Sequence, residues 1–326
     1  MTFNAWALSA GYRISDILSL PFSLSVGIGY SRIDLDLGTF YTTGSGGPDP
    51  IGPFEAFEKA ENIAVGIGVE YFVRLGLGWN FKDVHSQIGV VSTVPLTYNE
   101  ANFSTSDFGM ILQAPFGSLI ACSSSGIRPL IDLSLGYSIA NRGDETVMYS
   151  GLGVEDPLPR FAIAGTSLEI GITREVLGTE WKILTFTIAR EADDLLVTRY
   201  ADGTFEYQDG LGDISFLTNV IGGKADADGV NSRKGWQVNL GEFVMFRRGS
   251  YSELPEPGGR NYSTSGYSFH LTGMFKLVEA MIPGSTSEGI AAFVRDHIDL
   301  AFDHADYTSQ GPLGGTSFDA LTLVYR

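Results

Sequence analysis

The sequence predicts an all-β chain, a transmembrane antiparallel β-barrel, from three observations. Stretches in which apolar residues alternate with small or polar ones recur along the 326 residues. Glycine is abundant, at 41 residues, and several sit inside those stretches, among them Gly27, Gly29, Gly66, Gly68, Gly76 and Gly78. No apolar run reaches the roughly 18 residues that a membrane-spanning helix needs, which sets helical membrane proteins aside. The clearest stretch is Ile131–Asn141, where Ile131, Leu133, Leu135, Tyr137 and Ile139 fall on one face and Asp132, Ser134, Gly136, Ser138 and Ala140 on the other. Successive strand side chains point to opposite faces, so this strand is greasy on one side and small or polar on the other. Lipid outside and a wetter lumen inside require that division. Glycines inside strands would weaken a sandwich core, whereas a barrel uses them for bends and close approach.

Composition narrows the function classes. The formal net charge of −17 argues against nucleic acid or an anionic membrane surface as a partner. A single cysteine, Cys122, excludes an internal disulfide and any multi-cysteine metal site, and reads as a small, partly buried residue. Hydrophobic residues make up 44% and mean hydropathy is +0.08, values that a barrel permits because half of each strand is polar. Met1 runs almost directly into FNAWALSAGYRI, with no basic segment or cleavage site. For an outer-membrane protein that is expected where numbering starts after processing or the N-terminus is incomplete.

Taken in order, the first strands are expected at Asn4–Ile14 and after Pro21, where Phe22, Leu24, Val26, Ile28 and Tyr30 alternate with serines and glycines. The phase then flips to Ile33, Leu35 and Leu37, which predicts a β-bulge near Ser31–Arg32. Phe54–Asn62, FEAFEKAEN, has the composition of a short helix inside a loop. From Ile63 to Phe81 the alternation is unbroken and reads as one long strand projecting beyond the membrane, with a hairpin on an odd-length turn as the alternative. Weak strand character near 89–96 and at Phe108–Ala114 precedes the Ile131 strand and a loop over 142–159. Arg160–Ile172, Trp181–Arg190, Trp236–Phe246 and Tyr267–Leu277 read as strands, with acidic loops at 191–194 and 209–213. A short helix is expected within Pro283–Arg295, and the chain ends on a strand carrying Leu321, Leu323 and Tyr325. The pattern gives roughly eleven to thirteen strands in one domain over 1–326, with no parallel βαβ rhythm.

Few residues argue for chemistry. Asp296, His297, Asp299, Asp303, His304 and Asp306 could be metal ligands, but they read better as a polar row facing a lumen, opposite Ile298, Leu300 and Phe302. Asp226–Gly229, DADG, is half of a calcium loop and lacks the later glutamate, so it reads as a turn. Glu242 is expected to be lumenal or paired with Arg247 or Arg248. No nucleophile elbow, phosphate loop or zinc motif is present. The sequence therefore predicts no catalytic, cofactor-binding or metal-binding residues, no cofactor and no enzyme activity. Trp6, Trp79, Trp181, Trp236, Tyr71, Tyr137 and Tyr267 are placed to form aromatic girdles at the two membrane interfaces.

Five segments carry a family resemblance: LGWNFKDVHS (77–86), TSDFGMILQAP (105–115), RPLIDLSLGYSIANRGDE (128–145), DPLPRFAIAGTSLE (156–169) and KGWQVNLGEFVMFRRGSY (234–251). In this order they resemble strands of the PorV/PorQ-type outer-membrane proteins, which are related in fold to FadL-type channels. The resemblance implies a FadL-like barrel of about fourteen strands in the outer membrane of a Gram-negative bacterium, here with its N-terminal part missing. It also implies a non-enzymatic role in type IX-like secretion, holding or shuttling exported cargo with secretion-system components as partners. The loops Gly38–Asn62, Arg142–Arg160 and Leu254–Thr264 would be the contact surfaces. The alternatives are a FadL-like passive carrier of a hydrophobic small molecule and a soluble all-β binding module.

Overall fold

The computed structural model describes residues 2–43, 50–93, 96–120, 126–144, 146–149, 155–176, 178–225, 229–253, 259–282, 284, 289–309 and 314–325. Its elements begin with β1 (Thr2–Arg13), β2 (Ser23–Thr43), β3 (Pro50–Glu70), β4 (Arg74–Thr93), β5 (Leu96–Pro115) and β6 (Ile127–Gly143). Then come β7 (Thr146–Met148), β8 (Glu155–Pro157), β9 (Phe161–Val176), β10 (Thr179–Leu195), β11 (Val197–Arg199) and β12 (Phe205–Tyr207). The last part holds β13 (Asn231–Leu240), β14 (Val244–Ser252), β15 (Asn261–His270), α1 (Leu271–Met281), α2 (Gly289–His297), β16 (Ile298–Ser309) and β17 (Thr316–Tyr325).

Thirteen strands form one antiparallel sheet in the order β1-β2-β3-β4-β5-β6-β9-β10-β13-β14-β15-β16-β17, while β7 pairs with β8 and β11 with β12. The order follows the chain apart from the two small pairs, so the connections are a meander without crossovers. The all-β expectation therefore holds. The thirteen strands of this sheet fall within the eleven to thirteen that the alternation gives; closure is corrected, because among the described residues β1 and β17 end the order with one neighbour each.

The chain divides into two compact units, one of residues 1–111, 137–162 and 195–212, the other of 112–136, 163–194 and 213–326. In the first unit, registers carry residues across β1 to β4 in rows. Leu8, Tyr30, Ile63 and Phe81 make one row, Ala10, Ile28, Val65 and Trp79 the next, and Tyr12, Val26, Ile67 and Leu77 the one after. The opposite face carries Gly11, Gly27, Gly66 and Gly78 in a row. In the second unit, Phe186, Val238, Phe246, Tyr267 and His304 form a row, and Leu184, Leu240, Val244, Phe269, Phe302 and Leu321 another.

Several sequence expectations are overturned for local reasons. Ile63–Phe81 is two strands joined at Tyr71–Val73, closed by a Tyr71 N–H to Val73 carbonyl bond of 3.0 Å. The odd-length turn preserves parity, which is why the alternation looks continuous. No bulge occurs at Ser31–Arg32, where pairing runs regularly; the irregularity lies between Asp36 and Gly38, where Gly38 has φ 93°. Phe54–Asn62 is strand, not helix: cross-strand stacking of Phe40 on Phe54 at 5.7 Å and pairing on both sides of β3 override helix propensity. The acidic run 191–194 belongs to β10, because Glu191 and Asp193 lie opposite Arg233 and Asn231. Trp236–Phe246 is broken at 241–243 by a turn with Gly241 and Glu242 at positive φ. Tyr267–Leu277 becomes helix after His270, and the helix expected in 283–295 forms as α2.

Gly273 fixes α1 against that turn. A Cβ added there would collide with the Glu242 carbonyl group and the Phe243 nitrogen. Gly273→Ala is expected to lower unfolding stability by about 1–3 kcal/mol through overpacking. Gly52→Ala, with nothing within 4 Å of the new atom, is expected to be neutral. Urea unfolding in detergent micelles compares the two.

Candidate functional site

The apolar face of the first unit is exposed where a soluble protein would cover it. Leu8 is 72% exposed, Ile28 58%, Ile63 51% and Phe81 55%. Contiguous apolar exposure of this kind marks a surface that meets lipid or another chain, and each such side chain gains roughly 1.5–3 kcal/mol on leaving water. The patch has sharp borders. Along β3 it runs from Ile63 to Val69, which at ~3.4 Å per residue is about 20 Å of strand. Tilted by ~40°, that covers about 16 Å of depth, which fits within the ~25 Å apolar band of outer-membrane barrels.

Beyond Ile63 the same face changes character at once. The next row is Trp6, Arg32, Glu61 and Asp83. Arg32 Nε lies 2.9 Å from the Asp34 carboxylate and Nη1 lies 3.0 Å from that of Glu61. Aromatic residues flank both borders: Trp6 against Tyr30 at 5.1 Å, and Tyr71 against Phe72 at 4.3 Å. The phase flip at Ser31–Arg32 is therefore the edge of an apolar band on an unbroken strand. Trp6, Tyr71 and Trp236 stand at such borders. Trp181 does not; it is 5% exposed and donates from Nε1 to the Gly241 carbonyl at 2.8 Å, anchoring the 241–243 turn.

The opposite face is polar and internally bonded. In the first unit Lys82 Nζ lies 2.7 Å from Asp107 and donates to Asn141 Oδ1 at 2.6 Å. Asn80 donates to Asp107 at 3.1 Å, as does the Asn141 backbone at 2.9 Å. Asn141 takes φ 60°, a left-handed conformation that asparagine tolerates, and its amide donates to the Pro159 carbonyl at 2.7 Å. Lys82, Asp107, Asn141 and Pro159 come from four of the five segments that carry the family resemblance, and they meet in this one network.

In the second unit Arg233 reaches Glu191 at 2.5 Å and Asp193 at 2.7 Å, and its guanidinium stands over the Tyr251 ring at 5.3 Å. Tyr251, Tyr262 and Tyr307 stack in a ladder at 5.0 and 4.7 Å. Arg247 bonds Ser268 and Asp303, and Ser268 also donates to Asp303 at 2.5 Å. Beside Arg247 lies a depression of about 360 Å³ lined by Gly235, Gly249, Gly266, Thr187 and Ala189.

The residues singled out as metal candidates separate. Asp303 belongs to the Arg247 pair; Asp299 accepts from Thr272 at 2.7 Å. His304 lies between Asp319 at 2.7 Å and Asp306 at 3.3 Å, while His297 ends α2 and stacks on Phe293 at 4.8 Å and on Tyr325 at 5.9 Å. Among the described residues no three such groups converge on a metal position. Glu242 corrects its expected pairing: it bonds Lys276 at 2.7 Å and the Lys182 backbone at 2.9 Å rather than Arg247 or Arg248, because it sits in the turn facing α1. Cys122, residues 226–228 of DADG and the side chain of Asp296 lie outside the described residues.

No family model and no curated protein matches the chain. Among solved structures it is similar to the outer membrane protein OprD from Pseudomonas aeruginosa, at 7% identity and a TM-score of 0.33, over 99% of this chain and 91% of that one.

Arg233→Gln leaves the buried Asp193 carboxylate, 7% exposed, without its cation. That is expected to cost about 1–3 kcal/mol, against under ~0.5 kcal/mol for Arg74→Gln, whose pair with Glu70 is half exposed; urea midpoints decide. Past the end of β14 and outside the apolar band, Glu253 accepts from Arg260 Nε and Nη2, both at 2.8 Å, and these bonds hold its carboxyl below the usual range. A lowered pKa stabilises the fold above the carboxyl's unfolded pKa, and the contribution is lost as pH falls through the folded value. The protection of the Glu253 N–H against hydrogen exchange, taken relative to the intrinsic rate at each pH, is expected to fall below about pH 4; this N–H donates to the Arg260 carbonyl at 3.1 Å. Glu253→Gln removes that pH dependence.

Proposed function

We propose that this chain is an outer-membrane β-barrel protein with a non-enzymatic role in transport or secretion. The observation that carries the reading is the bordered apolar band of β1 to β4, with the small and polar face directly behind it. A bilayer leaves no backbone group unpaired, so residence there requires that the outer edges of β1 and β17 also be paired. The single-residue alternation gives a lipid-facing side and a water-facing side in one strand layer.

The polar face favours water-borne cargo over a hydrophobic ligand. It presents Lys82 with Asp107, Arg233 with Glu191 and Asp193, and Arg247 with Asp303, set among glycines and hydroxyl side chains. An apolar compound gains nothing from such a surface. The secretion role that the PorV/PorQ resemblance implies, with exported cargo as partner, is the finer form of this proposal. It rests on the four resembling segments that are linked through Asp107 and Asn141. The soluble binding-module alternative would need the apolar rows covered.

Membrane fractionation followed by gel migration with and without boiling tests the reading. The protein is expected in the outer-membrane fraction, running faster unboiled than boiled. Solubility without detergent, with identical migration before and after boiling, contradicts it.

A further inference from the structure

We infer that the second unit binds an anionic, phosphate-bearing lipid headgroup at Arg190, Lys234 and Arg248, just above the apolar band. This inference rests on the lipid-facing reading of that surface. The registers set the site: Arg190 lies opposite Lys234, and one step down the same face Ile188 lies opposite Trp236, itself opposite Arg248. Below them follow Phe186, Val238 and Phe246. Three cations thus stand over an aromatic and apolar floor, around a depression of about 440 Å³ that Ser250 and Ser263 also line. Headgroup charge above and acyl chain below match that order.

The cations are available to a ligand. Among the described residues, the side chains of Lys234 and Arg248 have no hydrogen-bond or ion-pair partner, and both residues are exposed. Arg190 is oriented by donating to the Ile221 carbonyl, a neutral group that leaves its charge uncompensated. The carboxylate sharing the Trp236 row, Asp306, lies beyond Ser265 and 3.3 Å from His304. The corresponding border of the first unit differs: there Arg32 is neutralised by Asp34 and Glu61. A chain of net charge −17 argues as a whole against anionic membrane surfaces, yet this border gathers three unmatched cations within two rows. Total charge does not report such clustering. Ser250 and Ser263 add hydroxyl donors suited to phosphate oxygens.

Native mass spectrometry of the full chain in detergent, titrated with diphosphoryl lipid A or with phosphatidylcholine, tests the site. The wild type is expected to retain lipid A in preference to phosphatidylcholine. Lys234→Gln with Arg248→Gln is expected to weaken lipid A retention about thirtyfold, taking roughly fivefold per basic group near an anionic lipid surface. Lys234→Arg with Arg248→Lys should keep it. Undiminished retention in the glutamine variant overturns the site. Displacement of lipid A by equimolar inorganic phosphate also overturns it, showing a phosphate pocket rather than a lipid site. Quenching of Trp236 by brominated phosphatidylcholine, read as the difference between wild type and Trp236→Phe, separates the two levels. If Trp236 is unquenched, the lipid-facing reading fails; if it is quenched without a lipid A preference, only the headgroup site fails.

Discussion

Strand register is the constraint on which the rest of this molecule depends. Side chains alternate with period two, so a slip of one residue would exchange every residue of the apolar face for one of the polar face. Fixed registers stack Leu8, Tyr30, Ile63 and Phe81 into a continuous greasy row. The same registers place Gly11, Gly27, Gly66 and Gly78 behind it. Both the border charges and the polar networks inherit their positions from those pairings. Arg233 meets Glu191 only because β13 runs antiparallel to β10 in that alignment.

The two faces divide the physical tasks. Outward rows lower the free energy of the chain in hydrocarbon and stop where Arg32, Glu61 and Asp83 begin. On the polar face, half-buried carboxylates stand beside donors. Asp107 has Lys82, Asn80 and Asn141; Asp303 has Arg247 and Ser268. Paired charges on a small-residue surface make this face hydrophilic, in contrast to the apolar rows behind it.

Much of this was legible in the sequence because alternation is a local property. The strand at Ile131–Asn141 and the split into apolar and small faces follow directly from residue order. What alternation hides is where a strand stops. Tyr71–Val73 forms an odd-length turn that leaves parity intact, so two strands read as one. The flip at Arg32 imitates a bulge because the apolar row gives way to a charged one there while the register runs on unchanged. At Phe54–Asn62 a helix-forming composition yields to pairing with both neighbours. After His270 the chain turns helical even though its alternation reads on to Leu277. The polar networks were not legible at all, since Lys82, Asp107 and Asn141 are brought together by partners 25 or more residues apart; the resemblance named their segments without naming their contact.

The central claim is that one strand layer faces lipid on one side and water on the other, with a border at Glu61. Spin labels placed singly from Glu58 to Glu70 along β3, in a background lacking the native cysteine, measure it through collision with oxygen and with a water-soluble nickel complex. Positions 63, 65, 67 and 69 are expected to favour oxygen, and 64, 66 and 68 the nickel complex. At position 61 the outward face is expected to switch to the nickel complex. A profile in which both parities are equally shielded, or in which no switch occurs at 61, contradicts the account.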